Sequence, residues 1–143
     1  MGYYFTSGGA KISIVTDTGI VTDAVKTAIK DADILVLESN HDESVLKMGR
    51  YPWFLKQRIL GERGHLSNEA ASEALAEIFA EEKAAGTFKH KTILLAHLSK
   101  ENNFPEMALM TMNNTLELSG ISLNKEVIVE PLPRTEIGKN YSV

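Results

Sequence analysis

Ile34-Leu35-Val36-Leu37-Glu38-Ser39-Asn40-His41-Asp42 decides how this chain folds. Four successive aliphatic residues with no polar alternation read as a short strand buried on both faces. The run then breaks into acid, hydroxyl, amide and imidazole groups, which the strand delivers to one edge of its sheet. Upstream, Thr22–Ala32 puts Val25, Ala28, Ile29 and Ala32 on one helical face, with Thr22 and Asp23 suited to its N-terminus. Before that helix, Lys11–Val15 reads as a strand between Gly8-Gly9 and Thr16-Asp17-Thr18-Gly19. Tyr3-Tyr4-Phe5 supplies the other arm of a hairpin.

Downstream, Asp42–Met48 reads as a short helix closed by Gly49, and Pro52 opens the next, Pro52–Leu60. Gly61 and Gly64 frame a turn. Ser67 then caps a long helix that runs to about Ala85 and stops at Gly86. Lys91–Ala96 is a further buried strand, Pro105 starts a helix to about Ser119, and Glu126–Val129 is the last strand before a tail with Pro131 and Pro133. Strands alternating with helices predict an α/β fold, a mixed sheet flanked by helices, at least partly parallel. Residues 1–143 read as one unit, without repeat, linker or low-complexity tract.

Composition narrows the function classes. The chain has 143 residues, 43% hydrophobic and 24% charged, enough for a packed core. It has no cysteine, which excludes disulfides, thiolate metal sites and thiol catalysis. A net charge of -4 gives no bulk basic field for nucleic acid, though a local basic patch stays open. No apolar run is long enough to cross a membrane, no secretory leader is evident, and the cytoplasm is the expected compartment.

Three strands end in polar loops: Val15 into Asp17, Leu37 into Glu38–Asp42, and Ala96 into His97–Asn103. Open α/β sheets place their sites beyond such carboxyl ends, which puts forward Asp17, His41 and His97. His65 lies in the turn before the long helix, whereas His90, in a solvated Lys-His-Lys turn, has no role. Each candidate also has a plainer role. Asp17 serves as a turn residue capping its own backbone, His65 as a packing residue at a helix start, and His97 as a polar strand end. Asn102-Asn103 reads as a turn. Lys47, Arg50, Lys56 and Arg58 read as a solvated face, with phosphate contact as the alternative. Tyr51, Trp53 and Phe54 read as core, with base stacking as the alternative.

A resemblance adds to this. Thr16-Asp17-Thr18-Gly19, Glu38-Ser39-Asn40-His41-Asp42, Tyr51-Pro52, Leu55-Lys56-Gln57-Arg58-Ile59, Gly64-His65-Leu66-Ser67-Asn68 and Ala96-His97-Leu98-Ser99-Lys100-Glu101-Asn102-Asn103 occur in an order that resembles the metallo-β-lactamase superfamily, and within it the YycJ/WalJ-type exonuclease branch. The resemblance implies that Asp17 and His97 are metal ligands for zinc or manganese. It implies that His65 is the proton donor to the leaving oxygen, oriented by Glu38 as the second catalytic residue. His41 and Asp42 match a hallmark of the branch. Nucleic acid, DNA above all, is the implied substrate.

The superfamily's His-x-His-x-Asp-His signature is absent from the 143 residues. The chain therefore corresponds, on this resemblance, to the C-terminal half of an αβ/βα sandwich. Asp17 and His97 are fewer than the three protein ligands a catalytic zinc takes. The expectation is the C-terminal portion of a metal-dependent phosphodiesterase, inactive and weakly metal-binding alone. The alternative is a non-catalytic piece or subunit acting through self-association or a partner. A third is an unrelated substrate-binding α/β module.

Overall fold

The computed structural model describes residues 1–143. Strands β1 (Gly2–Ser7) and β2 (Ala10–Val15) form the expected hairpin, turned through Gly8 and Gly9, both at positive φ. β3 (Ile34–Glu38), β4 (Lys91–Ala96) and β5 (Val127–Pro131) complete one five-stranded sheet in the order β1-β2-β3-β4-β5. The hairpin is antiparallel and every other pair is parallel, so the sheet is mixed. Helix α1 (Asp23–Ile29) links β2 to β3. Helices α2 (Glu43–Met48), α3 (Trp53–Leu60) and α4 (Asn68–Ala85) lie between β3 and β4, and α5 (Pro105–Leu118) between β4 and β5.

Capping follows the sequence. Thr22, Asp42 and Ser67 side chains accept from the backbone N–H three residues on, and Gly86 ends α4 in the left-handed region. Two boundaries differ, the first at α1, which stops at Ile29 rather than Ala32. Lys30 leaves helical geometry and Asp31 takes φ 60°, a turn conformation that Asp tolerates. The turn lets Asp33 reach β2, where its carboxylate accepts from Lys11 N at 2.7 Å. β5 also begins one residue later and runs on to Pro131.

Consecutive strand order with right-handed crossovers carries the connecting helices to the same face of the sheet. Burial agrees. Val15, Leu35, Leu37, Ile93, Leu95 and Val127 alternate onto one face and pack with Ile29, Leu75, Ile78, Phe79, Met112 and Leu116 in a single cluster. The opposite face presents Tyr3, Phe5, Ile12, Ile14, Ile34, Val36 and Leu94, as the register dictates. Ile34 and Leu94 are buried but stand outside that cluster, and Ile12, Tyr3 and Phe5 grow more exposed toward the β1 edge. Helices thus flank the sheet unequally. The tail folds back at β5, where Lys139 Nζ and Tyr141 Oη both donate to Glu130.

Two local expectations are overturned. Trp53 and Phe54 are exposed, not core, because α3 is short and turns only its opposite side inward. Lys56 is buried, not solvated: its ammonium donates to the Lys47 and Gly49 carbonyls, closing the turn between α2 and α3. Buried Lys is tolerated when its donors are taken up in this way. No helix is long and apolar enough to cross a membrane.

Candidate metal centre

The carboxyl ends of β2, β3 and β4 meet at one point. Glu38 ends β3 and is fully buried. Its Oε1 lies 2.7 Å from His65 Nδ1 and 2.6 Å from His97 Nδ1, and its Oε2 accepts from Thr18 N at 3.1 Å. The Asp17 carboxylate sits 3.7 Å from His97 Nδ1 and 3.9 Å from His65 Nδ1. Asp17, Glu38, His65 and His97 each offer a donor atom within 4.8 Å of the others. The four residues singled out in the sequence are therefore brought together, from positions up to 80 residues apart.

Local backbone explains the convergence. Asp17 and His97 take positive φ, 53° and 56°, two residues after β2 and directly after β4. That conformation costs a non-glycine residue free energy and clusters at functional sites. Residues 39–41 thread between the other two segments. Asn40 N donates to Leu66 O, its side-chain amide donates to His97 O, and its carbonyl accepts from Ser99 N. His41 bridges to Ser67. Glycines set the approach. A Cβ on Gly64 would fall 2.0 Å from Ile59 O, and one on Gly19 would fall 2.1 Å from Gly61 O. Only a missing side chain lets the Asp17 loop and the His65 turn close against each other.

Beneath the centre, Ser39, Asn68 and Asn103 form a buried amide network. Asn68 Nδ2 donates to Asn103 Oδ1, Asn103 Nδ2 donates to Ser39 O, and Ser39 Oγ donates to Asn68 Oδ1. The Asn102-Asn103 turn is found as expected, and it is buried. His41 is buried too, and lies outside the cluster of four; burial pushes its pKa down. Asp42 caps α2. These placements give the Asn40–Asp42 stretch a scaffolding job.

The donor set suits a borderline divalent ion: two imidazoles and two carboxylates, no thiolate. Each imidazole that gives its Nδ1–H to Glu38 presents Nε2 as the free nitrogen, the arrangement in which a buried carboxylate orients a ligating or proton-carrying histidine. Asp17 is exposed and its oxygens stay available. Alongside lies a cavity of ≈ 770 Å³ lined by His65, His97, Tyr51, Leu55, Ile59 and Leu98, and by Arg58, Arg63 and Arg134. Arg63 and Arg134 escaped the sequence reading, because nothing local marks two scattered arginines as neighbours.

No protein-family model matches the chain. The exodeoxyribonuclease YycJ of Bacillus anthracis is 43% identical over 125 residues, 87% of this chain and 45% of that protein. This chain is homologous to part of the YycJ/WalJ exodeoxyribonucleases. The exodeoxyribonuclease WalJ of Streptococcus pneumoniae is likewise 43% identical, over 114 residues, 80% of this chain and 40% of WalJ. The chain spans less than half the length of these relatives.

Proposed function

We propose that the chain supplies the Asp17, Glu38, His65 and His97 side of a divalent-metal-dependent exodeoxyribonuclease with a metallo-β-lactamase-type αβ/βα architecture. The observation that carries this is the single Glu38 oxygen shared by two imidazoles beside an open carboxylate, in a chain homologous to proteins named exodeoxyribonuclease. Asp17 and His97 hold metal, zinc or manganese. His65 stands at the cavity as proton donor to the leaving oxygen, and Glu38 is its positioning residue. A bound divalent cation supplies Lewis-acid stabilisation of phosphate charge. The signature donors of the superfamily lie outside these 143 residues in this reading, so the chain alone is inert, and its sheet face opposite the core cluster packs against a second sheet.

The test uses a protein spanning the full length of the relatives. His65→Ala slows phosphodiester cleavage by ~10²–10⁴-fold with metal content nearly intact, as loss of general acid catalysis does. Asp17→Ala and His97→Ala deplete metal. If His65→Ala strips the metal or leaves the rate unchanged, the assignment is wrong.

A second reading rests on Tyr3, Phe5 and Ile12, exposed together on the sheet face opposite the core cluster. Apolar surface of that kind supports association, and in this reading the 143-residue chain self-associates as a non-catalytic piece. Sedimentation at micromolar concentration shows a dimer or larger species; a clean monomer removes it.

A further inference from the structure

We propose that Asn40 is the positioning residue of His97: its side-chain amide holds the His97 backbone in the left-handed conformation that delivers the imidazole to the centre. The proposal rests on the reading of His97 as a metal ligand and adds a side chain that reading does not use. A non-glycine residue stays at positive φ only where its surroundings over-determine it. His97 has φ 56° and lies beyond the β3–β4 register, which ends at Glu38 and Ala96, so strand pairing does not fix it. Two side chains take over. Glu38 Oε1 meets the ring at Nδ1, 2.6 Å away, and Asn40 Nδ2 donates to the His97 carbonyl at 2.7 Å. A carbonyl partner requires a donor, so the amide nitrogen is the end that faces His97. Aspartate has the same shape and, ionised, only acceptors.

The spacing of the two holding residues has a physical reason. Along an extended segment, residues i and i+2 face the same side. Glu38 and Asn40 therefore both reach His97, while Ser39 between them turns away and donates to Asn68 Oδ1. The segment that carries them is itself pinned. Ser39 N donates to Ala96 O, Asn40 N to Leu66 O, and Ser99 N to Asn40 O. A side chain on so fixed a backbone sets the position of what it grips. The grip is also selective. Asn40 meets the His65 segment through its peptide N–H alone, which every residue but proline keeps. Loss of the Asn40 side chain should release His97 and leave His65 on Glu38. General support of the fold would treat the two histidines alike.

Nuclear magnetic resonance of the 143-residue chain in EDTA tests the grip without metal or cleavage. A positive φ brings a residue's own amide and α protons close together, so His97 gives a strong cross-relaxation peak between them. Asn40→Ala weakens that peak and moves the His97 ring nitrogens toward mixed tautomers, with the His65 ring unchanged. Asn40→Asp, which keeps the shape and loses the donor, does the same. Ser13→Ala removes a buried hydroxyl that donates to Ala28 O, away from the centre. It lowers the thermal midpoint and leaves both histidines as they were. In a protein spanning the length of the relatives, Asn40→Ala weakens zinc binding about tenfold in chelator competition, as loss of a group that orients a ligand does. The proposal is overturned by an unchanged His97 peak in both Asn40 variants, by an equal change at His65, or by an equal change in Ser13→Ala. Zinc affinity that survives Asn40→Ala but falls in His97→Ala overturns it too. The two readings fail separately. If His97→Ala itself leaves zinc affinity unchanged, the metal reading falls, and a His97 peak lost in Asn40→Ala still upholds the grip.

Discussion

The imidazoles of His65 and His97 stand 5.1 Å apart, tilted by 60°, because both Nδ1 atoms meet the same oxygen of Glu38. One buried carboxylate thereby fixes the ring orientation and tautomer of both. Glu38→Gln keeps the shape but replaces the charge, and its amide nitrogen cannot accept from Thr18 N. Loss of such an outer carboxylate costs about 10–100-fold in metal affinity. Competition titration with a zinc chelator on the full-length protein reads it, and ¹⁵N spectra of the two imidazoles show mixed tautomers. Unchanged affinity would mean that neither histidine depends on Glu38.

Gly64 makes the His65 turn. Alanine there would place Cβ 2.0 Å from Ile59 O and 2.5 Å from Arg58 O, both backbone atoms that cannot swing aside. The turn must move, at a cost of about 1–3 kcal/mol typical of overpacking, and His65 moves with it. In the full-length protein, Gly64→Ala should lower the thermal midpoint and slow cleavage together. A variant as stable and active as its parent would show that the turn yields freely.

Much of this was legible in the sequence, and the reasons are physical. Strands β3 and β4 are apolar runs ended by polar clusters, and Thr22, Ser67 and Gly86 are local stop and start signals; such features act through neighbours in the chain. Asp17 and His97 could be named because strand ends in an α/β sheet converge; the same reasoning also put forward His41, which stands outside the cluster, whereas Glu38 and the role of His65 came from the family resemblance. Lys56 and Trp53 were misread, and the burial of Asn103 went unread, because their fates depend on distant partners. A lysine looks solvated until two carbonyls, Lys47 O and Gly49 O, are folded around its ammonium. Asn103 reads as a turn residue, and its burial shows only once Asn68, 35 residues away, arrives to meet it.

Lys91 and Glu82 form an ion pair sealed in the core, at 2.8 Å with both side chains almost wholly buried. Glu82 Oε1 also accepts from Asp31 N, and Lys91 Nζ stands 5.5 Å from the Phe79 and Phe88 rings. Lys91→Met strands a buried carboxylate and should cost about 3–5 kcal/mol. Adding Glu82→Gln removes the stranded charge, keeps the acceptor for Asp31 N, and should restore at least half. Urea denaturation of the single and double variants decides; a double variant no better than the single one refutes the pairing.

His41 gives the fold an acid sensitivity. It is buried, its Nε2 has no hydrogen-bond partner, and its Nδ1 stands 3.4 Å from Asn40 Oδ1. Burial holds its pKa below the ordinary 6.5, the nearby His65 pulls the same way, and Glu43, Glu38 and Asp42 oppose them only in part. The unfolded chain therefore takes up this proton before the folded one does. Its contribution to stability is complete above pH 6.5 and is lost as pH falls from there toward the depressed folded value. The slope reaches at most about 1.4 kcal/mol per pH unit. His41→Phe keeps the ring volume and removes the titration. Unfolding free energies of the two proteins between pH 7.5 and about 5 should diverge, the parent falling faster below pH 6.5. Parallel curves across that window would place the acid sensitivity elsewhere.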